Sequence, residues 1–393
     1  MKKKTKLLIR DAFLSTILSS VLLIILSSIV IFNSRFFNPV HKAFSDFSFL
    51  DIYYSQKFHN TDKVNSDIIL VNIENHDREV IANLLNTILK EDPKVVGFDI
   101  ILEERPEKTK TDTFLAQLLQ NKKVVTAFEV KNDSLNFGDS FFKTRQRSGF
   151  TEYNYKPNTE VIREFIGKKE FNETKHASFA TLIAKKYLSK KQWKKYDYDE
   201  KLNKLQTIKY SGDYTAFPNL SLDDFFLNED NPILKGKIII MGYIGSPSGN
   251  KFDIQDKFFT PLNPSYAGKS DRDMFGPALH GNITNMLIKN DLMYKISFFW
   301  MCIITFICMY FSTMLYMKWS KKYKISYRTR KQTYQLVFSI TLLAVVIWLF
   351  ENDIVFNPFL VIIGIIIAGS YFKYYKHLTR YINTKRKWKT YLK

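Results

Sequence analysis

The sequence predicts an α/β extracytoplasmic domain with a largely parallel sheet, plus four transmembrane α-helices, one N-terminal and three C-terminal. Three observations predict it. The uncharged run Ala12–Phe32 has 21 residues; at about 1.5 Å each it reaches roughly 31 Å, the thickness of a bilayer's hydrocarbon core. Three more apolar runs, Ile296–Met317, Thr333–Phe350 and Ile354–Phe372, arrive together near the C-terminus. Between these ends, short apolar runs alternate with amphipathic helix patterns, as βαβ units do.

In lipid every backbone N–H and C=O needs an internal partner, so Ala12–Phe32 should be helical. It is longer than the apolar part of a signal peptide, and its end, Ile31-Phe32-Asn33, lacks a small-x-small cleavage site. It reads as an uncleaved anchor.

The net charge of +20 would by itself suggest a nucleic-acid partner. Its distribution argues against one. Residues 33–294 carry 37 Lys+Arg against 35 Asp+Glu, and the remainder carries 21 against 3. The excess therefore flanks the apolar runs, as the positive-inside rule expects of cytoplasmic ends. Lys2, Lys3, Lys4, Lys6 and Arg10 precede the first run. Lys318–Lys331 holds only basic charge, and the tail Lys373–Lys393 has eight Lys+Arg and no acid. The link Glu351-Asn352-Asp353 suits an outer turn.

The expected organisation follows. Residues 1–11 are cytoplasmic, 12–32 span, 33–294 form the outer domain, and 296–317, 333–350 and 354–372 span. The loop 318–332 and the tail 373–393 are cytoplasmic. This describes a multi-pass protein of a bacterial inner (plasma) membrane with a periplasmic domain, the bilayer being one partner. Both cysteines, Cys302 and Cys308, lie in an apolar run, so the domain has no disulfide framework and no Cys-based metal site.

In chain order, Phe36–Phe58 places Val40, Ala43, Phe44, Phe47 and Asp51 at helix spacing. Asp67–Ile73 is a strand, and Asp77–Lys90 a helix whose face is Val80, Ile81, Leu84, Leu85, Ile88 and Leu89, ended by Pro93. Lys94–Leu102 is a strand, Thr111–Gln120 a helix and Lys123–Val130 a strand. Apolar strands joined by helices imply a parallel sheet with right-handed crossovers. Gly149–Phe165 alternates like a hairpin around Lys156-Pro157-Asn158. His176–Leu188 is a helix, Ser189–Lys204 a solvated helix or surface loop, and Leu205–Tyr210 a strand. Ser221 and Asp224 form a capping box for Leu222–Leu227. Lys237–Gly242 is a buried strand followed by a mobile, polar loop to about Phe275. Gly276–Lys289 is the closing helix, with Leu279, Ile283, Met286 and Leu287 on one face. Gly364 and Ala368 offer a small-xxx-small face in the last span.

Ligands in open α/β sheets bind beyond the C-terminal ends of the strands. Asp99, Glu103 and Glu104 lie at or just after such an end. A carboxylate there could hold a cation or an amine, or simply cap a turn. Gly242, Gly245 and Gly249 match neither the dinucleotide fingerprint nor a P-loop. No H-x-x-x-H, H-E-x-x-H or Gly-x-Ser-x-Gly occurs. No cofactor, metal site or enzymatic activity is expected.

These residues resemble the CHASE2 family, a bacterial extracytoplasmic sensor module. DIILVNIEN is similar to its opening strand, KVVGFDIILEE to its Gly-Phe-Asp strand, and GFTEYNYKPNTEVIREF, with Arg163 at the usual basic position, to its central hairpin. IKYSGDYTAFPNLSLDDFF and GKIIIMGYIGS, DKFFTPLNP and GPALHGNITNML follow in the family's order. The first strand departs from the family, reading Asn72-Ile73-Glu74-Asn75 where an acidic pair is usual. Family members commonly continue into an output domain, whereas 21 residues follow Phe372. The resemblance implies a sensor that passes a signal from an outer ligand or partner to a separate effector, and it adds Asp256, Thr260 and His280 as ligand-binding candidates. The alternative is a structural or accessory subunit of an envelope complex.

Overall fold

The computed structural model describes residues 2–32, 48–57, 64–131, 134–153, 160–227, 231–263, 271–323 and 325–392. They fall into two compact units, one drawn from Ser45–Met293 and the other from Met1–Phe44 with Tyr294–Lys393.

The first helix, α1 (Lys2–Phe32), belongs to the second unit. The Ser45–Met293 unit begins with α2 (Phe49–Lys57); the expected helix positions Val40, Ala43, Phe44 and Phe47 lie outside the described residues. Next come β1 (Ile68–Asn72), α3 (Arg78–Lys90), β2 (Val95–Phe98), α4 (Lys110–Leu119), β3 (Val124–Lys131), β4 (Ser134–Asn136) and β5 (Ser148–Phe150). Asp77 caps α3 by accepting from the Glu79 and Val80 amides, and Thr109 and Asp112 close a capping box on α4. The short strands β6 (Glu164–Ile166), β7 (Lys168–Phe171) and β8 (Thr174–Ala177) precede α5 (Phe179–Tyr187), α6 (Lys190–Lys195) and α7 (Tyr198–Lys201). Then follow β9 (Leu205–Thr207), β10 (Asn219–Leu220), α8 (Leu222–Leu227), β11 (Ile238–Gly242), β12 (Lys257–Phe258), β13 (Met274–Phe275) and α9 (Gly276–Ile288).

The main sheet runs β10-β1-β11-β2-β3-β4, with β5 also beside β3. All pairings are parallel except β3–β4. On one face, Ile69, Val71, Val96, Phe98 and Val124 pack with Ile81, Leu84, Leu85 and Ile88 of α3 and Leu115 and Leu119 of α4. Removing this apolar area from water is the main stabilising term, at about 25 cal/mol per Å². On the other face α5 lies close: a Cβ on Gly97 would sit 2.6 Å from Ile183 Cδ1, and one on Gly149 only 2.5 Å from Phe179 Cα.

Several expectations are corrected. Gly149–Phe165 is not a self-paired hairpin in its described part: β5 extends the main sheet and β6 pairs with β9. Its expected turn, Lys156-Pro157-Asn158, lies outside the described residues. The helix expected from His176 starts at Phe179, because Ser178 accepts from the Thr181 amide and sets the N-cap there. The strand at Lys94 ends at Phe98, and Ile100–Leu102 leave the ladder. The expected loop after β11 is anchored, not free. Asn72, fully buried, accepts from the Ile244 amide (2.9 Å) and donates to Gly245 O (2.7 Å) and Ser248 Oγ (2.8 Å). The family's acidic position is here an amide that staples the loop.

In the second unit, α10 (Phe298–Lys322), α11 (Tyr327–Glu351) and α12 (Phe359–Lys385) follow the expected runs but overrun them. With Lys3–Ser28 of α1 they make four helices long and apolar enough to cross a membrane. Two strands, β14 (Tyr294–Lys295) and β15 (Ile354–Val355), pair in parallel. The third run therefore opens as a strand, since Pro358 cannot continue a helix begun at Ile354 and instead starts one. Gly364 lets α10 approach α12: a Cβ there would be 2.9 Å from Thr305 Cγ2.

Candidate functional site

The C-terminal ends of β2, β3 and β11 form one edge. The Asp99 amide donates to Met241 O (2.9 Å), extending the β2–β11 ladder by one residue. This delivers the Asp99 side chain to the sheet edge. β11 ends in Gly242, where a Cβ would lie 2.5 Å from Pro277 Cγ and 3.2 Å from Asp99 Cβ. Glycine is required here because the first turn of α9 sits directly on the strand end.

That turn carries His280, only 3% exposed. Its Nε2 shares a hydrogen bond with the Tyr153 hydroxyl (3.1 Å) and lies 3.7 Å from Asp99 Oδ2. Its ring packs between Tyr153 and Phe179, with centroids at 5.3 and 4.9 Å. Tyr153 also meets Phe258 edge-on at 5.2 Å. Asp256 adopts a left-handed backbone (φ 49°), and its carbonyl accepts from the Gly276 amide (3.0 Å). A Cβ on Gly276 would collide with the Asp256 carboxylate, so this acid rests on the N-terminus of α9.

The electrostatics are unbalanced. Burial, with a smaller push from the charge of Glu129 near the end of β3, raises the Asp99 carboxyl to about 7. Asp256 is raised well above the carboxylate range by the protein mass around it, then by Asp99 and Glu129. Its surface remains open to water, which discounts that push. Burial drives the His280 imidazole down to about 3, so it is neutral near pH 7. Glu129 Oε2 lies 2.7 Å from Lys131 Nζ. Among the described residues no Lys or Arg is ion-paired to Asp99 or Asp256. Also among the described residues, no group of three His, Cys, Asp or Glu could hold a metal ion. A different space between Phe98, Leu119, Phe137 and Phe142 has a volume of only 10 Å³, room for at most one water.

Of the five candidates, the structure gathers Asp99, Asp256 and His280. Thr260 is held elsewhere: its amide and hydroxyl both donate to Asp273, whose carboxyl burial pushes up to about 6. The Glu103 side chain is exposed, and its carbonyl, not its carboxylate, is used, accepting from Arg78. Glu104 is likewise exposed. Sequence reasoning missed Glu129 and Tyr153. Glu129 was within reach, since it lies near the C-terminal end of β3 as Asp99 lies just past that of β2. Tyr153 carried no such signal.

The family model of the CHASE2 domain matches residues 23–315, from within α1 to within α10. The chain belongs to the CHASE2 domain family. CHASE2 is an extracytoplasmic sensor domain. No curated protein and no solved structure matches this chain.

Proposed function

We propose that this CHASE2 protein is a membrane-anchored sensor that binds a small organic cation, an amine, outside the cytoplasm and relays it to a separate membrane or cytoplasmic effector. The observation that carries the reading is the pair Asp99 and Asp256, two acids by a sheet edge to which no Lys or Arg is ion-paired among the described residues. A positive ligand would supply the missing countercharge, and Tyr153 and Phe258 offer aromatic edges beside it. An amine suits the site better than a bare metal ion, which needs several converging ligands at short range. In this topology the domain is periplasmic, both termini are cytoplasmic, and no bond is made or broken.

The relay runs along α9. All thirteen of its residues are buried, on every side and not only on the expected face. Asn282 ties it to Ser211 and Gly212, and Asn285 to Asn65 and Ser211. At about 1.5 Å per residue this rod is roughly 20 Å long. It links the acidic edge to the point where the chain leaves the domain. There Lys209 pairs with Asp291 (2.7 Å), and Met293 Sδ lies 3.7 Å from the Tyr54 hydroxyl of α2. Arg163 grips Asp51 of α2 through two bonds (2.8 and 2.7 Å). Entry and exit segments are thus held at one place. A ligand alters the output only if it favours one of two arrangements of that junction.

The docking-subunit reading has one observation in its favour: Phe252 and Ile254, 89% and 76% exposed, form an apolar tip on the loop after β11. The discriminating experiment is thermal unfolding of the detergent-solubilised chain with spermidine or with citrate. The sensor reading expects spermidine alone to raise the apparent Tm, and expects Asp99→Asn to abolish the rise. No response to spermidine, with a stoichiometric partner co-purifying, would favour the subunit.

A further inference from the structure

We infer that Asp11 is a latch that fastens residues 386–392 onto the start of α1. Outside residues 33–294 the chain has only three acids, Asp11, Glu351 and Asp353, among 21 Lys+Arg. Asp11 stands alone in the basic collar, and it is fully buried. Both carboxylate oxygens are engaged. Oδ1 accepts from Arg10 Nε (3.1 Å), Arg10 Nη2 (2.8 Å) and the Tyr375 hydroxyl (3.1 Å). Oδ2 accepts from the Thr390 hydroxyl and the Tyr391 amide, each at 2.7 Å.

The partners span the unit. Arg10 and Asp11 belong to α1, Tyr375 to α12, and Thr390 and Tyr391 to the segment beyond α12. Lys321, near the end of α10, donates to Tyr391 O (3.1 Å) and lies 5.1 Å from that ring's centroid. Arg10 also donates to Lys389 O and sits 4.7 Å over the Trp388 ring. One carboxylate therefore joins the first span, the last span and the strap. Bonds to a charged acceptor are about twice as strong as neutral ones, and a buried carboxylate stripped of its donors is costly. The strap consequently has two states: seated, with every Asp11 bond made, or released, with Trp388 and Tyr391 freed among Arg386, Lys387 and Lys389. Movement of α1 against α12 separates the donors and favours release. This goes beyond the sensor reading, because the latch exists whatever the domain binds.

The test uses the full chain in detergent, with Cys302 and Cys308 replaced by Ser and Leu392→Cys as the reporter; Leu392 is 8% exposed when the strap is seated. The rate of maleimide labelling reads the released fraction. Asp11→Asn should raise that rate at least ten-fold, and Thr390→Val and Tyr375→Phe, which each remove one donor, should raise it several-fold. Should Asp11→Asn fail to fold, the two single-donor variants decide. Equal rates in the parent and in the variants that fold would overturn the latch. Addition of spermidine to the parent tests the sensor reading separately, since a null result there leaves the variant comparison intact.

Discussion

Asp112, fully buried, and Asp99, whose side chain is 12% exposed, are acids of the same unit in opposite surroundings. Asp112, in the first turn of α4, accepts from the Arg78 guanidinium at 2.8 Å and from the Thr109 amide and hydroxyl. Those donors outweigh its burial and hold its carboxyl down at about 2. Asp99, at the end of β2, has a neutral imidazole at 3.7 Å and other acids as neighbours, and is pushed up to about 7. Burial alone therefore says little about an acid's role. The partners decide, and a largely buried acid without donors at the C-terminal edge of a sheet is the feature on which the proposed cation site rests.

This contrast can be broken most severely on the satisfied side. Arg78→Ala strands Asp112, removes the bond to Glu103 O and takes the guanidinium off Phe142. It should cost about 3–5 kcal/mol of stability, the loss typical of breaking a buried pair, read as a large fall in apparent Tm.

On the unsatisfied side the sign reverses with pH. The folded Asp99 binds its proton more tightly than the unfolded chain does. Its stabilising contribution is full below about pH 4 and is lost as pH rises through about 7. His280 works the other way, with stability falling as pH drops from about 6.5 towards 3. Asp99→Asn should therefore gain on the parent by about 2 kcal/mol between pH 5 and pH 8, in the difference of two denaturation curves. A constant difference across that range would remove the unbalanced charge from the account. The smallest effect is expected at Glu103, whose carboxylate is exposed: Glu103→Gln should change stability by less than about 0.5 kcal/mol.

The same distinction explains what was legible in the sequence. The strands Ile68–Asn72 and Ile238–Gly242 are apolar up to their last residues because both faces of the sheet are covered, and such runs announce themselves. The helix starts at Asp77 and Ser221 were marked by residues that bond locally, whereas the Thr109 cap of α4 was missed, the expected helix beginning at Thr111. Pairings between distant segments carried no local mark. Nothing in Glu164–Ile166 says that Leu205–Thr207 is its partner. Asp99 and His280 were each visible, one from its strand end and one from the family pattern. Tyr153, which bonds to His280, was not, because its role depends on a contact 127 residues away. Asp11 was hidden by its setting, a lone acid in a basic stretch that the charge pattern alone explains.

The most direct test of the acidic edge is the affinity of the full chain for spermidine, measured by calorimetry at pH 8 and pH 5. With Asp99 ionised at the higher pH and protonated at the lower, binding should be at least ten-fold tighter at pH 8 and lost in Asp99→Asn. Affinity that is equal at the two pH values, or unchanged by Asp99→Asn, would contradict the account.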